Sequence, residues 1–162
     1  MIPISSILWP TDGGEPSYKA LEMAVMIAGK FNAGLYALQI VPPVPPLIGT
    51  RYAPMAIKGY DIPLYQQELL NKTENELSQL VSKKVPQEIK VVCEVKIGVP
   101  AEVIIEFAQE NGIDLIVMAT HGRTGLSRFM IGSVTEKTIR QSTIPLLIIP
   151  AASGAHKRRS KL

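Results

Sequence analysis

Short apolar runs alternate along the chain with segments whose apolar residues recur at helical spacing. "ISSILWP", residues 4–10, is a β-type run ended by Pro10, and "TDGGEPS" reads as a turn into a helix. Tyr18, Leu21, Val25 and Ala28 fall at spacings of three and four, which predicts an amphipathic helix over 16–31. "GLYALQIV", 34–41, is the second strand. From about 64 to 84 a polar helix carries Leu70, Leu77, Leu80 and Val81 on one face. "EIKVVCEVKIG" is a third strand with partial alternation. "PAEVIIEFAQENG" is a helix, with Pro100 near its start, Val103, Ile104 and Phe107 facing inward, and Gly112 as its stop. "IDLIVMAT" is apolar on both faces, as a central parallel strand is. A helix over 133–142 and the strand "PLLIIP" follow.

Strict alternation of strand and helix predicts the α/β class: one open parallel five-stranded sheet with helices on both faces, Rossmann-like. With strand order 3-2-1-4-5, strands one and four are neighbours where the order reverses, and ligands bind beyond the strand ends at such a point. Their following loops, "TDGGEPS" and "THGRTGLSRFMIGS", then face one crevice. Residues 1–150 form the domain. Within it, 42–63 holds six prolines among 22 residues and is neither a regular helix nor a central strand. A loop of that length serves as a lid, a partner surface or a mobile segment. Residues 151–162 are a basic tail.

Composition narrows the function classes. Of 162 residues 46% are hydrophobic, enough for one real core. The net charge of +3 comes from the tail, since Lys157, Arg158, Arg159 and Lys161 lie there. Without them 13 basic residues face 14 acidic ones, so no nucleic-acid footprint is expected. A single cysteine, Cys93, allows no internal disulfide, and no Cys/His cluster offers a metal site. The first residues do not read as a signal peptide, and no apolar run approaches the ~20 residues that cross a bilayer. A cytoplasmic protein without membrane association is expected. The last three residues match a peroxisomal address, a weak signal at three residues.

The loop after the fourth strand carries the candidate chemistry. Phosphate binding needs close backbone approach, several N–H donors and positive potential. Glycine, main-chain nests and helix N-termini provide these. Gly122 stands at the strand exit and Gly132-Ser133 at the next helix start, with nine residues between them. Arg123 and Arg128 add charge, and Ser133 and Thr135 add hydroxyls. A plain loop explains the same residues, because Ser133-x-x-Glu136 reads as a capping box that satisfies the helix end without a ligand. Glu136 also brings negative charge near the supposed anion. Without Gly-Lys-Ser/Thr the loop is not a P-loop, and no dinucleotide fingerprint follows the first strand. Spacing alone leaves both readings open.

These motifs, in this order, resemble the universal stress protein family over about residues 3–150. Nucleotide-binding members carry Gly-x2-Gly-x9-Gly-(Ser/Thr) after the fourth strand. Here Ala119-Thr120-His121-Gly122, nine residues and Gly132-Ser133 match it, with Ala119 in place of the first glycine. "ILWPTDGGEPSYKAL", "GVPAEVIIEFA" and "SVTEKTIRQSTIPLLIIP" are similar to the family too. The resemblance implies an ATP-binding stress-response module without strong catalysis. It places Asp12, after Pro10 and Thr11, by the ribose and phosphates. Adenine is held through the backbone of Ile40, and Ala119, Gly122, Arg123, Gly132, Ser133, Val134 and Thr135 surround the phosphates. Magnesium would arrive with the nucleotide, with no metal site of the protein's own. A homodimer through the final strand, 145–150, is also implied. Alanine at 119 is tolerated if its φ is negative and harmful if positive.

Other residues read more plainly. Asp12 can equally cap the helix beginning at Glu15. His121 more often orders a βα loop than acts in catalysis, and no nucleophile pattern accompanies it. No catalytic residue is assigned. Cys93 reads as buried and inert. Trp9 and the tyrosines form no stacking ladder for single-stranded nucleic acid. Two rivals share the fold: a nucleotide-free dimeric scaffold, and a slow ATPase or nucleotidyl transferase assisted by Asp12.

Overall fold

A computed structural model describes residues 3–43, 62–120 and 131–150. Within them nine elements alternate: β1 (Ser6–Thr11), α1 (Glu15–Phe31), β2 (Gly34–Val41), α2 (Ile62–Lys84), β3 (Val91–Ile97), α3 (Pro100–Glu110), β4 (Leu115–Ala119), α4 (Ser133–Gln141) and β5 (Leu146–Ile149). All five strands are parallel, in the order β3-β2-β1-β4-β5. The expected α/β sheet and its reversal point between β1 and β4 are therefore present. The proline-rich expectation for 42–63 and the basic tail fall almost wholly outside the described residues.

Strand alternation sorts the core to the two faces of the sheet. On one face Ile7, Trp9, Leu35, Ala37, Val117 and Ala119 pack with Ala20, Leu21, Ala24 and Ala28 of α1 and Leu77 and Val81 of α2. On the other, Leu8, Leu38, Ile116 and Met118 pack with Ile104, Phe107 and Ala108 of α3. The buried stripe of α1 is mostly alanine, so that helix lies close to the sheet. Tyr18 and Val25, expected inside, are half-buried at its margin. α2 begins at Ile62, with Pro63 in its first turn, where the missing N–H costs nothing.

β1 departs from expectation at its end. It does not stop at Pro10 but runs through it to Thr11. The Gly34 N–H donates to the Ser5 carbonyl on the β2 side, and the Asp114 N–H donates to the Ser6 carbonyl on the β4 side. Main-chain groups alternate sides along a strand, so Pro10 points toward β4 and not toward β2. The β1–β2 ladder accordingly continues to Thr11↔Gln39, past the Pro10↔Leu38 pair. The β1–β4 ladder ends at Leu8↔Ile116, because the next rung would need the N–H that Pro10 lacks. The two central strands part from there toward their carboxyl ends.

The other end of this strand pair is pinned by Asp114. Its Oδ2 accepts from Ser5 N at 2.8 Å, Ser5 Oγ at 2.9 Å and Ser6 N at 3.0 Å. These bonds, the Ser5 N–H foremost, hold the Asp114 carboxyl below its ordinary value of 3.8, while partial desolvation opposes them. A carboxylate with a lowered folded-state pKa stabilises above its unfolded value and loses that contribution as pH falls through the folded one. The gap in unfolding free energy between wild type and Asp114→Asn should therefore be constant above about pH 5 and shrink below 3.8. Urea denaturation across that range measures it, and a pH-independent gap would remove the carboxylate's role.

Candidate functional site

Beyond the last β1–β4 rung the diverging strands open a cavity of about 320 Å³. Pro10, Thr11, Asp12, Ile40, Ala119, Gly132, Ser133, Val134 and Thr135 all line it, so nine of the eleven sequence-derived residues come together. Gly122 and Arg123 lie outside the described residues, as do His121 and Arg128. Four lining residues are not among those the sequence singles out: Ser17, Pro100, Ile104 and Met118. Pro100 and Ile104 sit one turn apart at the start of α3, and Ser17 lies in the first turn of α1. The signal that could find them is positional, since each lies in the first turns of a helix that follows a strand or near the carboxyl end of a strand.

The β1–α1 wall is a hydrogen-bonded turn. Gly13 takes φ 73°, a left-handed conformation that suits glycine. Its N–H donates to Thr11 Oγ1 at 3.0 Å, and Gly14 N–H donates to Asp12 Oδ1 at 2.9 Å. Thr11 Oγ1 and Ser17 Oγ lie 2.7 Å apart, and Ser17 Oγ donates to the Gly14 carbonyl at 2.7 Å. Behind them the indole of the fully buried Trp9 donates to the Ser17 carbonyl at 3.0 Å. Asp12 does not cap α1 with its side chain: Gly14 is the N-cap residue and carries no side-chain cap bond. The Asp12 carboxylate folds the turn and is exposed at the cavity.

The β4–α4 wall is a helix start. The Ser133/Glu136 capping box expected from the sequence is absent. Gly132 is the N-cap, Ser133 is already the first helical residue, and no side-chain cap bond is made. Capping would need the hydroxyl one position earlier, and glycine stands there. Glu136 is instead drawn to Arg140, at 3.0 Å from Nη2 and 3.2 Å from Nε, so its charge is paired along the helix. Gly132 N–H donates to the Thr120 carbonyl at 2.8 Å, and Thr135 Oγ1 donates to the Ala119 carbonyl at 3.0 Å. These two bonds fix the α4 start against the end of β4. The first-turn N–H groups of a helix have no partner within the helix, and here that end borders the cavity.

Ala119 resolves the question its methyl raised. Asn32 is the non-glycine residue with positive φ among the described residues, so Ala119 has an ordinary strand backbone. Its side chain is buried in the core cluster on the α1 face. The third wall is apolar, built from Ile40, Pro100, Ile104 and Met118. Elsewhere, Cys93 is half-buried and not fully buried as expected. Burial pushes its thiol above the ordinary 9.0, a hydrogen bond from Ser78 opposing. Among the described residues no cluster of His, Cys, Asp or Glu could hold a metal ion, and no helix is long and apolar enough to cross a membrane.

If Gly132 and not Ser133 caps α4, Ser133→Ala should change stability by no more than about 0.5 kcal/mol, against ~1 kcal/mol for loss of a true capping hydroxyl. Chemical denaturation measures the difference, and a loss near the larger figure would restore the capping box.

Comparison with known proteins agrees with this architecture. The model of the Universal stress protein family matches residues 3–150. Universal stress protein MJ0531 of Methanocaldococcus jannaschii is 36% identical over 148 residues, covering 88% of this chain and 80% of that protein. Universal stress protein YxiE of Bacillus subtilis is 32% identical over 149 residues, covering 90% and 98%. Among solved structures, that of MJ0577, also from M. jannaschii, superposes with a TM-score of 0.78 at 23% identity, covering 94% of this chain and all of that one. A universal stress protein solved in complex with cAMP superposes with a TM-score of 0.59 at 21% identity, covering 93% and 100%. The family model spans both walls of the crevice and every described strand, and on that match the chain belongs to the universal stress protein family.

Proposed function

We propose that the crevice binds an adenine nucleotide, ATP in the first instance, and that the protein is a nucleotide-dependent regulatory module of the stress response without strong catalysis. The observation that carries this is the chemical asymmetry of the cavity. One wall presents the N-terminal N–H groups of α4, which suit phosphate oxygens. The opposite wall presents the Asp12 carboxylate, which suits ribose hydroxyls. Between them the apolar surface of Ile40, Pro100, Ile104 and Met118 suits the faces of a planar base. At about 320 Å³ the described cavity has the size of a small-ligand pocket. A structural neighbour that carries cAMP supports the same ligand class.

The base edge favours adenine. Val41 is bonded toward β3, since Gly98 N–H donates to its carbonyl, so the main-chain groups of Ile40 point the other way, toward β1. The β1–β2 ladder stops at Thr11↔Gln39. The Ile40 carbonyl therefore lies beyond the last rung, on the crevice side, where it can accept from an exocyclic amino group. Magnesium would come with the nucleotide and keep most of its waters. Asp12 is the ionisable side chain among the described lining residues, so any slow hydrolysis would rest on it. The wider proposed site includes Gly122 and Arg123.

Calorimetric titration of the purified protein with ATP should give saturable binding, and heat denaturation should release any adenine nucleotide carried through purification. Gly132→Val should abolish binding while leaving the circular dichroism spectrum and Tm near wild type, because a branched side chain there blocks approach to the α4 amides. No heat up to millimolar ATP would favour the nucleotide-free scaffold. Retained affinity in Gly132→Val would place the phosphates elsewhere.

We further propose a cytoplasmic homodimer paired through β5. Leu146–Ile149 form an edge strand, hydrogen-bonded to β4 on one side and half-buried along its whole length. An edge of that kind invites another strand. Sedimentation equilibrium should return twice the chain mass of 17.7 kDa, and a monomer at micromolar concentration would remove the proposal.

A further inference from the structure

The hydroxyls of the β1–α1 wall can be assigned a direction by counting protons. Ser17 Oγ has one hydrogen, and the Gly14 carbonyl at 2.7 Å can only accept it. The Ser17 hydroxyl therefore receives the 2.7 Å bond from Thr11, and Thr11 is its donor. Thr11 Oγ1 in turn accepts from the Gly13 N–H at 3.0 Å. The result is one directed chain, from Gly13 N–H through the Thr11 and Ser17 hydroxyls to the Gly14 carbonyl. Every hydrogen in it is committed. Thr11 is buried and Ser17 is buried, so neither hydroxyl is easily satisfied by solvent instead.

This chain occupies the donor that would have extended the sheet. Carrying the β1–β2 register one step past Thr11↔Gln39 pairs Asp12 with Ile40. In a parallel ladder that rung sends the Gly13 N–H to the Ile40 carbonyl. The Gly13 N–H goes to Thr11 Oγ1 instead, and the ladder ends. The left-handed Gly13 backbone holds the peptide in that diverted position.

We propose that Thr11 is a positioning residue that keeps the Ile40 carbonyl available to the ligand, and so sets a preference for amino-bearing over keto-bearing purines. The proposal rests on the nucleotide reading of the crevice and deepens it. A carbonyl left open at the base edge rewards an amino group and meets a keto oxygen with like polarity. Without the Thr11 hydroxyl, the Gly13 N–H loses its acceptor, and the nearest ladder acceptor is the Ile40 carbonyl. The sheet would then zip one rung further, and the Gly13 peptide would cover the edge that reads the base. Thr11 need not touch the base for this to hold.

The test compares ATP with ITP, which carries a keto oxygen where ATP has the amino group, by calorimetry on wild type, Thr11→Val, Thr11→Ser and Ser17→Ala. Wild type should bind ATP at least about tenfold more tightly than ITP, the scale of one hydrogen bond made or left unmade. Thr11→Val, which keeps shape and loses the hydroxyl, should weaken ATP about tenfold and ITP less than about twofold, so that the ratio falls toward one. Thr11→Ser should restore the wild-type ratio, because the hydroxyl returns. A merely structural threonine would weaken both nucleotides alike, and that outcome overturns the proposal. So does an unchanged ratio in Thr11→Val, or a wild type that binds both equally. Should Thr11→Val fail to fold, Ser17→Ala carries the test. It removes the acceptor of the Thr11 hydroxyl and should lower the ratio partway, and an unchanged ratio there also overturns the proposal. Wild type that binds neither nucleotide fails the nucleotide reading itself, which is distinguishable from every outcome above.

Discussion

The crevice exists because the β1–β4 ladder stops early. Two parallel strands at the centre of a sheet ordinarily pair along their length. Here β1 pairs with β2 over six residues but with β4 over two. Pro10 accounts for the difference. Its nitrogen falls on the β4 side, where it cannot donate, while the residues either side of it bond normally to β2. A proline in a central strand would be a defect if the sheet were meant to close. At the point where strand order reverses, with α1 on one face and α3 on the other, it lets the strand ends part. The same chain positions then supply both walls.

The walls differ in polarity for reasons that lie in the backbone. On the β4 side Gly132 occupies the cap position, so the cap residue itself puts no side chain over the first amides of α4. The hydroxyl of Thr135 is turned inward to the Ala119 carbonyl and anchors the helix start. The charge of Glu136 is held by Arg140 along the helix. On the β1 side the hydroxyls of Thr11 and Ser17 have committed their hydrogens, and what remains are acceptors. A donor wall thus faces an acceptor wall. Without the four basic residues of the tail the chain is near neutral, so its net charge offers an anion little general attraction.

Much of this architecture is legible in the amino-acid sequence. The apolar-on-both-faces run "IDLIVM" marks the central strand β4, the strand over 34–41 has the same bounds in both readings, and the alternation of elements implies the parallel sheet. What escapes is decided by one-residue phase. Ser133 and Glu136 have capping-box spacing, but a shift of one residue in the helix start makes Gly132 the cap. Pro10 reads as a strand terminator unless the side its nitrogen faces is known, and that depends on pairing with residues far along the chain. Pro100, Ile104 and Met118 look like core and helix-start residues because they are, and only the parting of β1 and β4 exposes them to a cavity. Ala119 is the converse case: the motif demands glycine, and the extended strand that carries the position does not.

The crevice and the edge of the sheet are not independent. Thr120 joins them. Its carbonyl accepts from the Gly132 N–H at the start of α4, and its own N–H donates to the Ile149 carbonyl at the end of β5. Both bonds are backbone bonds at 2.8 and 2.9 Å, and neither depends on a side chain that could rotate away. The α4 start therefore cannot shift relative to β5 without breaking one of them. A ligand biases a structure only through different affinities for two of its states. Whatever two states a ligand at the α4 amides distinguishes, that wall is tied to the edge strand through the two backbone bonds of Thr120 and, beside them, through the Thr135–Ala119 bond and the β4–β5 ladder.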